Sequence, residues 1–306
     1  MQILPIFVDT KALSETANLL IEKLSNGFGI IYEPNRIRRE ASAKADAVRI
    51  EAQGRADALL VHAEGQIAVS EIQRRAFIRF AKEQVRHQNN LENIEAKAVD
   101  VLETQVLPTN VLLKPATAPS EDFLENFVNS AKSVADEDIQ FLWAKILAEE
   151  FTSPGSFSRQ TINIVKSLEA SDAQAFNTLA CFVWDLDGTK KPLVFDSSDP
   201  VFVKAGIDTS LLVHLNSLGL IEYIVFGSQT WQYDGDTAGI PLSYQGRKFS
   251  IEPPLTSLET GRVALTRAGT ELLRICTTTP IDGYPEYVAA ELRSGQQLRV
   301  LESNEV

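Results

Sequence analysis

From residue 36 to residue 103 the chain runs without a proline and with only two glycines, Gly54 and Gly65. Proline ends helices most reliably, and its absence over so long a tract predicts helix throughout. Ala41, Ala45, Val48, Ala52, Ala56, Leu59, Ala63 and Ile67 recur along one helical face in steps of three and four. Those steps approach a repeat of about 11 residues, which predicts a straight or slightly right-handed bundle rather than a leucine zipper. A continuous helix over this tract would span roughly 100 Å at about 1.5 Å per residue. Alanine permits close helix approach but buries little area, so such a stripe needs several copies or a partner. The two glycines mark expected bends.

Leu13, Ala17, Leu20 and Leu24 share a face ahead of this tract, and Ser25, Asn26 and Gly27 supply a stop, predicting a short amphipathic helix. Phe28, Ile30, Ile31 and Tyr32 follow as an apolar hinge closed by Glu33 and Pro34. Packing beneath neighbouring helices is the ordinary use of such a hinge; shallow insertion into a membrane interface is the other. After Ser70, the basic residues Arg74, Arg75, Arg79, Lys82 and Arg86 lie among Ile72, Ala76 and Phe80. A solvated helix face is the plain reading, with an anionic lipid surface or nucleic acid as alternatives. His87, Gln88, Asn89 and Asn90 then interrupt the pattern, so a helix–helix turn is expected over residues 88–90 before Leu91, Ile94, Ala98 and Val101 resume it.

The formal charge of −12 is unevenly spread. Residues 36–103 hold 12 Lys/Arg against 11 Asp/Glu, so the acidity lies elsewhere. A general nucleic-acid binder needs a dense positive field, and this chain lacks one. Cys181 and Cys276 sit in apolar helical contexts and predict buried reduced thiols, which fit a reducing cytoplasm. The amino terminus carries no basic n-region, and no stretch reaches about 18 apolar residues. A soluble cytoplasmic protein is expected.

Pro108, Pro115 and Pro119 punctuate residues 105–120, the expected linker. Ser120 is placed to cap a helix with Phe123, Phe127, Ala131 and Val134 inward, and residues 136–138 put negative charge at the start of the next. That next helix carries Ile139, Leu142, Trp143, Ile146 and Leu147 as a wide core stripe. Pro154 and Gly155 turn the chain into a helix over 158–168, and Ser171 with Gln174 predicts a capping box for another. Beyond Gly188 the pattern becomes mixed. A short helix with Leu211, Leu215 and Leu218 precedes strands over 220–226, 230–233 and 247–251, then helices over 267–275 and 286–293 and a return strand over 298–301. This order predicts a winged-helix-like module. Residues 206–223 contain no Lys or Arg, which favours a protein-binding scaffold over a DNA reader.

Asp185-Leu186-Asp187-Gly188-Thr189 matches the first motif of haloacid-dehalogenase-type phosphotransferases, whose first Asp is a nucleophile and second a general acid. That chemistry also needs a later lysine and a later acidic pair for magnesium. Lys248 is the last lysine, and no acidic pair at metal-binding spacing follows Glu252, so a chance match followed by a turn is the better reading. His62, His87 and His214 belong to no nucleophile or zinc motif, no CxxC pair occurs, and no phosphate-binding glycine motif is present. No catalytic residue, metal or cofactor is expected. Trp143, Trp184 and Trp231 are expected in cores.

Three stretches resemble the bacterial domain of unknown function 2806 family: GFGIIYEPNRIRREASAKADA at 27–47, RRAFIRFAKEQVRHQNNLENIEAKA at 74–98 and LWAKILAEEFTSPGSFSRQTINIVKSLEASDAQAF at 142–176. The likeness continues weakly into VALTRAGTELLRI at 263–275 and is more distantly similar to the Abi-alpha group of abortive infection. The resemblance implies a bacterial cytoplasmic protein with a coiled-coil stem and a place in phage defence; it implies no catalytic residue. Trp143, Ile146 and the Pro154-Gly155 turn explain the third stretch structurally, while Lys145, Glu149, Glu150 and Arg159 are left as an interaction face.

The expectation is a mainly α protein with a C-terminal α+β part. A helical coiled-coil-like stem (1–104), a linker (105–120), a helical domain (121–185) and a winged-helix-like α/β module (186–306) follow in order. The expected role is a non-enzymatic, homo-oligomeric assembly or adaptor protein. A membrane-acting effector using Phe28, Ile30, Ile31, Tyr32 and the basic Arg74, Arg75, Arg79 and Arg86 is the alternative. The interaction candidates are those four arginines, Ala41, Ala45, Val48, Ala52, Ala56, Leu59, Lys145 and Arg159.

Overall fold

The computed structural model describes residues 71–104, 119–233, 240–251 and 257–295. The hinge at 27–32, the alanine stripe from Ala41 to Ile67, most of the linker and the strand expected at 298–301 lie outside the described residues. The chain divides into two compact units, Met1–Ser156 and Phe157–Val306. The boundary expected between residues 185 and 186 falls inside a β-hairpin of the second unit.

In the first unit, α1 (Glu71–Thr104) packs against α2 (Glu121–Ala131) and α3 (Glu137–Thr152). Ser120 caps α2, its Oγ accepting from the Phe123 N–H at 3.2 Å. Asp136 caps α3, accepting from the Asp138 and Ile139 N–H groups at 3.0 Å each. Ile94, Ala98 and Leu102 of α1 are buried with Phe127 of α2 and Trp143, Ala144, Ile146 and Ala148 of α3. Ala98, Ala144 and Ala148 let the backbones of α1 and α3 close up, and Phe127 meets Trp143 edge-on at 5.1 Å. The end of the expected stem is therefore core of the helical domain.

The turn expected at 88–90 is absent: α1 is continuous through it. Within that run Asn90 serves a tertiary hydrogen bond instead, and Gln88 bonds Glu92 one helical turn on. Asn90 Nδ2 donates to the Lys132 carbonyl at 3.0 Å, and Gln140 Nε2 donates to the Val134 carbonyl at 3.0 Å. Lys97 Nζ donates to the Glu137 carbonyl and to Gln140 Oε1, both at 3.2 Å. These side chains satisfy carbonyls of the α2–α3 connection, which is why polar residues stand in a buried helix face.

In the second unit, α4 (Arg159–Val165) is capped by Ser158, and α5 (Ala170–Ala180) begins at Glu169 rather than Ser171. Asp172 supplies the reciprocal contact of that cap, accepting from the Glu169 N–H at 2.9 Å, so Ser171 lies within the helix. After Cys181 the chain forms β1 (Val183–Leu186) and β2 (Thr189–Pro192), a hairpin turned by Asp187 (φ 48°) and Gly188 (φ 84°). Positive φ at both central residues is the type I′ geometry that matches strand twist. β5 (Ile240–Tyr244) and β6 (Arg247–Ile251) complete an antiparallel sheet in the order β2-β1-β5-β6.

Beneath that sheet lies an aromatic core. Trp184 stacks on Tyr244 at 5.1 Å, and Tyr284 meets Phe182 at 4.8 Å. The Tyr284 hydroxyl lies 2.7 and 3.0 Å from the carbonyls of Phe182 and Leu193. Short helices α6 (Pro200–Val203) and α7 (Thr209–Ser217) lead to β3 (Ile221–Tyr223) and β4 (Gln229–Gln232). These pair antiparallel with β8 (Val263–Leu265) and β7 (Ser257–Gly261) respectively. Gly261 has φ 84°, and a Cβ there would collide with the Val194 carbonyl, so only glycine fits. The helices α8 (Arg267–Leu273) and α9 (Tyr284–Gly295) close the unit. Trp143 and Trp184 are buried as expected, but Trp231 is half-buried, 5.6 Å from Tyr233.

Candidate interaction surface

Helix α1 changes character along its length. At about 100° per residue, Ile72, Ala76 and Phe80 continue the line of Asn90, Ile94, Ala98 and Val101. The second group is buried, whereas Ile72, Phe77 and Phe80 are 78%, 43% and 59% exposed. Beside them Arg74, Arg75, Arg79, Lys82 and Arg86 are all exposed. An exposed apolar strip edged with cations fits an anionic or amphipathic partner.

Glu95 stands at the buried end of the same helix, 2% exposed, and neither carboxylate oxygen has a hydrogen-bond partner among the described residues. Burial, reinforced by Glu92, pushes its pKa up to about 8, so the side chain is mostly protonated at neutral pH. Its spacing from Leu91 and Leu102 was the sequence signal that an acid occupied a core position.

Of the expected interaction residues, Arg74, Arg75, Arg79 and Arg86 are exposed on the first half of α1. Lys145 of the first unit is half-buried, its Nζ 5.0 Å from the Phe141 ring centre. Arg159, in the second unit, is exposed at the start of α4. Ala41, Ala45, Val48, Ala52, Ala56, Leu59, Phe28, Ile30, Ile31 and Tyr32 lie outside the described residues.

The second unit holds polar clusters that sequence reasoning missed. Glu271 binds the start of α4: its Oε2 accepts from the Ser158 N–H at 2.7 Å and the Thr161 hydroxyl at 2.5 Å, and its Oε1 from Arg267 Nε at 2.7 Å. Burial opposes ionisation there, but these donors together hold the carboxyl below its ordinary pKa. Asp172 Oδ1 lies 2.7 Å from Nε2 of half-exposed His214. Each pairing joins residues far apart in sequence and carries no local signature. A half-open hollow of about 550 Å³ is edged by Asp199, Lys204, Asp282 and Tyr287. Beyond β3, Val225 and Phe226 are 50% and 90% exposed.

The phosphotransferase-like motif has a structural use. Asp185 Oδ1 accepts from the Gly188 N–H at 2.6 Å and Oδ2 from Lys190 Nζ at 2.8 Å, so it braces the hairpin turn. The Lys190 contact, against some burial, lowers the Asp185 pKa. Among the described residues no group of three or more His, Cys, Asp or Glu is arranged to hold a metal ion. No described helix is long and apolar enough to cross a membrane.

No curated protein and no solved structure matches the chain. Residues 74–289, most of its length, match a family described as "Protein of unknown function (DUF2806)". The match takes in α1 from its basic residues onward, parts of both units and the hairpin, and the chain belongs to the DUF2806 family.

Proposed function

We propose that this protein is a non-enzymatic assembly or adaptor component that self-associates through its N-terminal helical region, a coiled-coil-like stem. The reading rests on one observation. The apolar face of α1 that α3 covers beyond Asn90 continues uncovered through Ile72, Phe77 and Phe80. Self-association would remove that strip from water. The order α7, β3, β4, β7, β8, α8 supports a winged-helix-like module in the second unit. With no Lys or Arg in residues 206–223, protein binding suits it better than DNA. Its setting as a bacterial cytoplasmic protein of phage defence follows from the resemblance to the Abi-alpha group alone.

Light scattering on the full chain at micromolar concentration should give more than one copy, and Ile72→Asp with Phe80→Asp should reduce it. A wild-type monomer would overturn the reading. Deletion up to Thr104 is the wrong test, because it would strip Ile94, Ala98 and Leu102 from the core.

A membrane-acting effector is the second reading, favoured by the exposed apolar residues alternating with Arg74, Arg75 and Arg79. Wild-type protein should then float with vesicles of anionic phospholipid and stay behind with zwitterionic ones. Failure to float would remove it.

A further inference from the structure

We infer that α1 is a self-complementary helix that pairs antiparallel with α1 of a second copy, about a two-fold axis at Asn89. This goes beyond assembly through the apolar strip, because it uses another side of the helix and fixes both partner and orientation. Arg79, Lys82, Arg86, Asn89, Asn93, Ala96 and Asp100 follow one another in steps of 3, 4, 3, 4, 3 and 4, the spacing of a coiled-coil seam. At about 100° per residue they form one stripe, turned away from Ile94 and Ala98. Asn89 is half-buried and the other six are exposed, so α2 and α3 leave this stripe open.

Charge reverses along the helix. Residues 71–87 hold five Lys/Arg against two Glu, and residues 88–104 hold four Asp/Glu against one Lys. Parallel, in-register pairing would set like charge on like. Antiparallel pairing sets the basic end of each helix on the acidic end of the other. A two-fold axis at Asn89 lays the basic half of the stripe along the acidic half of its copy. Arg79 then lies opposite Val99 and beside Asp100, Lys82 opposite Ala96, Arg86 opposite Glu92, and Asn89 opposite its own copy. The side chains of Arg79, Lys82, Arg86 and Asp100 form no ion pair among the described residues. Among the described residues these charges are unused within one copy. Ile78 and Val85, half-buried along the edge of the stripe, add apolar contact.

Asn90 turns inward to the Lys132 carbonyl, while Asn89, at the centre of the stripe, has its Oδ1 buried without a hydrogen-bond partner among the described residues. The contact between copies is polar, so it selects partner and direction more than it adds affinity, and salt weakens it.

The test is sedimentation equilibrium of the full chain at low and high salt, with helix content checked by circular dichroism. Arg79→Glu with Arg86→Glu should weaken self-association about tenfold at low salt and much less at high salt. Adding Glu92→Arg and Asp100→Arg to that variant should restore it, since the swapped helix is again self-complementary. If the first variant associates like wild type, the pairing is wrong even where Ile72→Asp with Phe80→Asp shows that assembly stands. If the charge-swapped variant fails to recover, these arginines meet something other than the acidic end of α1, and the inference is overturned. A wild type that remains monomeric defeats both readings.

Discussion

In the second half of α1 the apolar stripe is closed off by α3, with Ile94, Ala98 and Leu102 at most 1% exposed. In the first half the same stripe carries Ile72 and Phe80 at 78% and 59% exposure. The two halves share one helix, one periodicity and one type of apolar residue. What separates them is whether an opposing helix stands against the stripe. A hydrophobic period therefore specifies a buried face without saying whose surface buries it. The charges follow the same division, since the uncovered half carries most of the helix's Lys/Arg and the covered half most of its acids.

The comparison can be broken most severely from the covered half. Trp143→Ala should cost about 3–5 kcal/mol, because it opens a cavity where Phe127 now packs; chemical denaturation reads this directly. Glu95→Gln should act in the opposite direction and depend on pH. The folded pKa of about 8 lies above the ordinary carboxyl value, so the folded state holds a proton that the unfolded state releases. Stability from this group is complete below the unfolded pKa and declines as pH rises through about 8. The glutamine variant should therefore gain of order 2 kcal/mol over wild type at pH 8 and little at pH 5. Equal gains at both values would show that Glu95 is not protonated in the fold. Asn90→Ala should cost about 1 kcal/mol by leaving the Lys132 carbonyl without its side-chain donor. Phe80→Ala should change thermal stability within about 0.5 kcal/mol, because its side chain is mostly in water. A large loss at Phe80 would mean that the uncovered half is not uncovered in solution.

Much of the helical part was legible because caps and period agree. Ser120 and Asp136 stand where α2 and α3 begin, and Trp143, Ile146 and Leu147 fall on the buried face. The β6 strand coincides residue for residue with the expected run at 247–251. Its partner β5 was not foreseen, since Pro241 and only five residues make a weak strand signal. The run at 88–90 was misread because the group that Asn90 bonds, the carbonyl of Lys132, lies 42 residues away. The helix expected from Ser171 has no sequence stop near Ala180, where α5 ends; the Asp187-Gly188 turn favours a hairpin that local propensity around Phe182 does not reveal. For the interaction surface, Arg79 and Arg86 were visible as a basic face. Their relation to Asp100 needed an unbroken helix before it could be drawn.

The protonated carboxyl of Glu95 makes a proton a stoichiometric component of the folded chain. The formal charge of −12 counts Glu95 as ionised, so near neutrality the native molecule is less negative than its composition implies. Folding near neutrality takes up a proton from the buffer, and unfolding returns it. The heat of unfolding measured by calorimetry should then vary with the ionisation enthalpy of the buffer, and the slope counts the protons exchanged, with Glu95→Gln lowering it by nearly one.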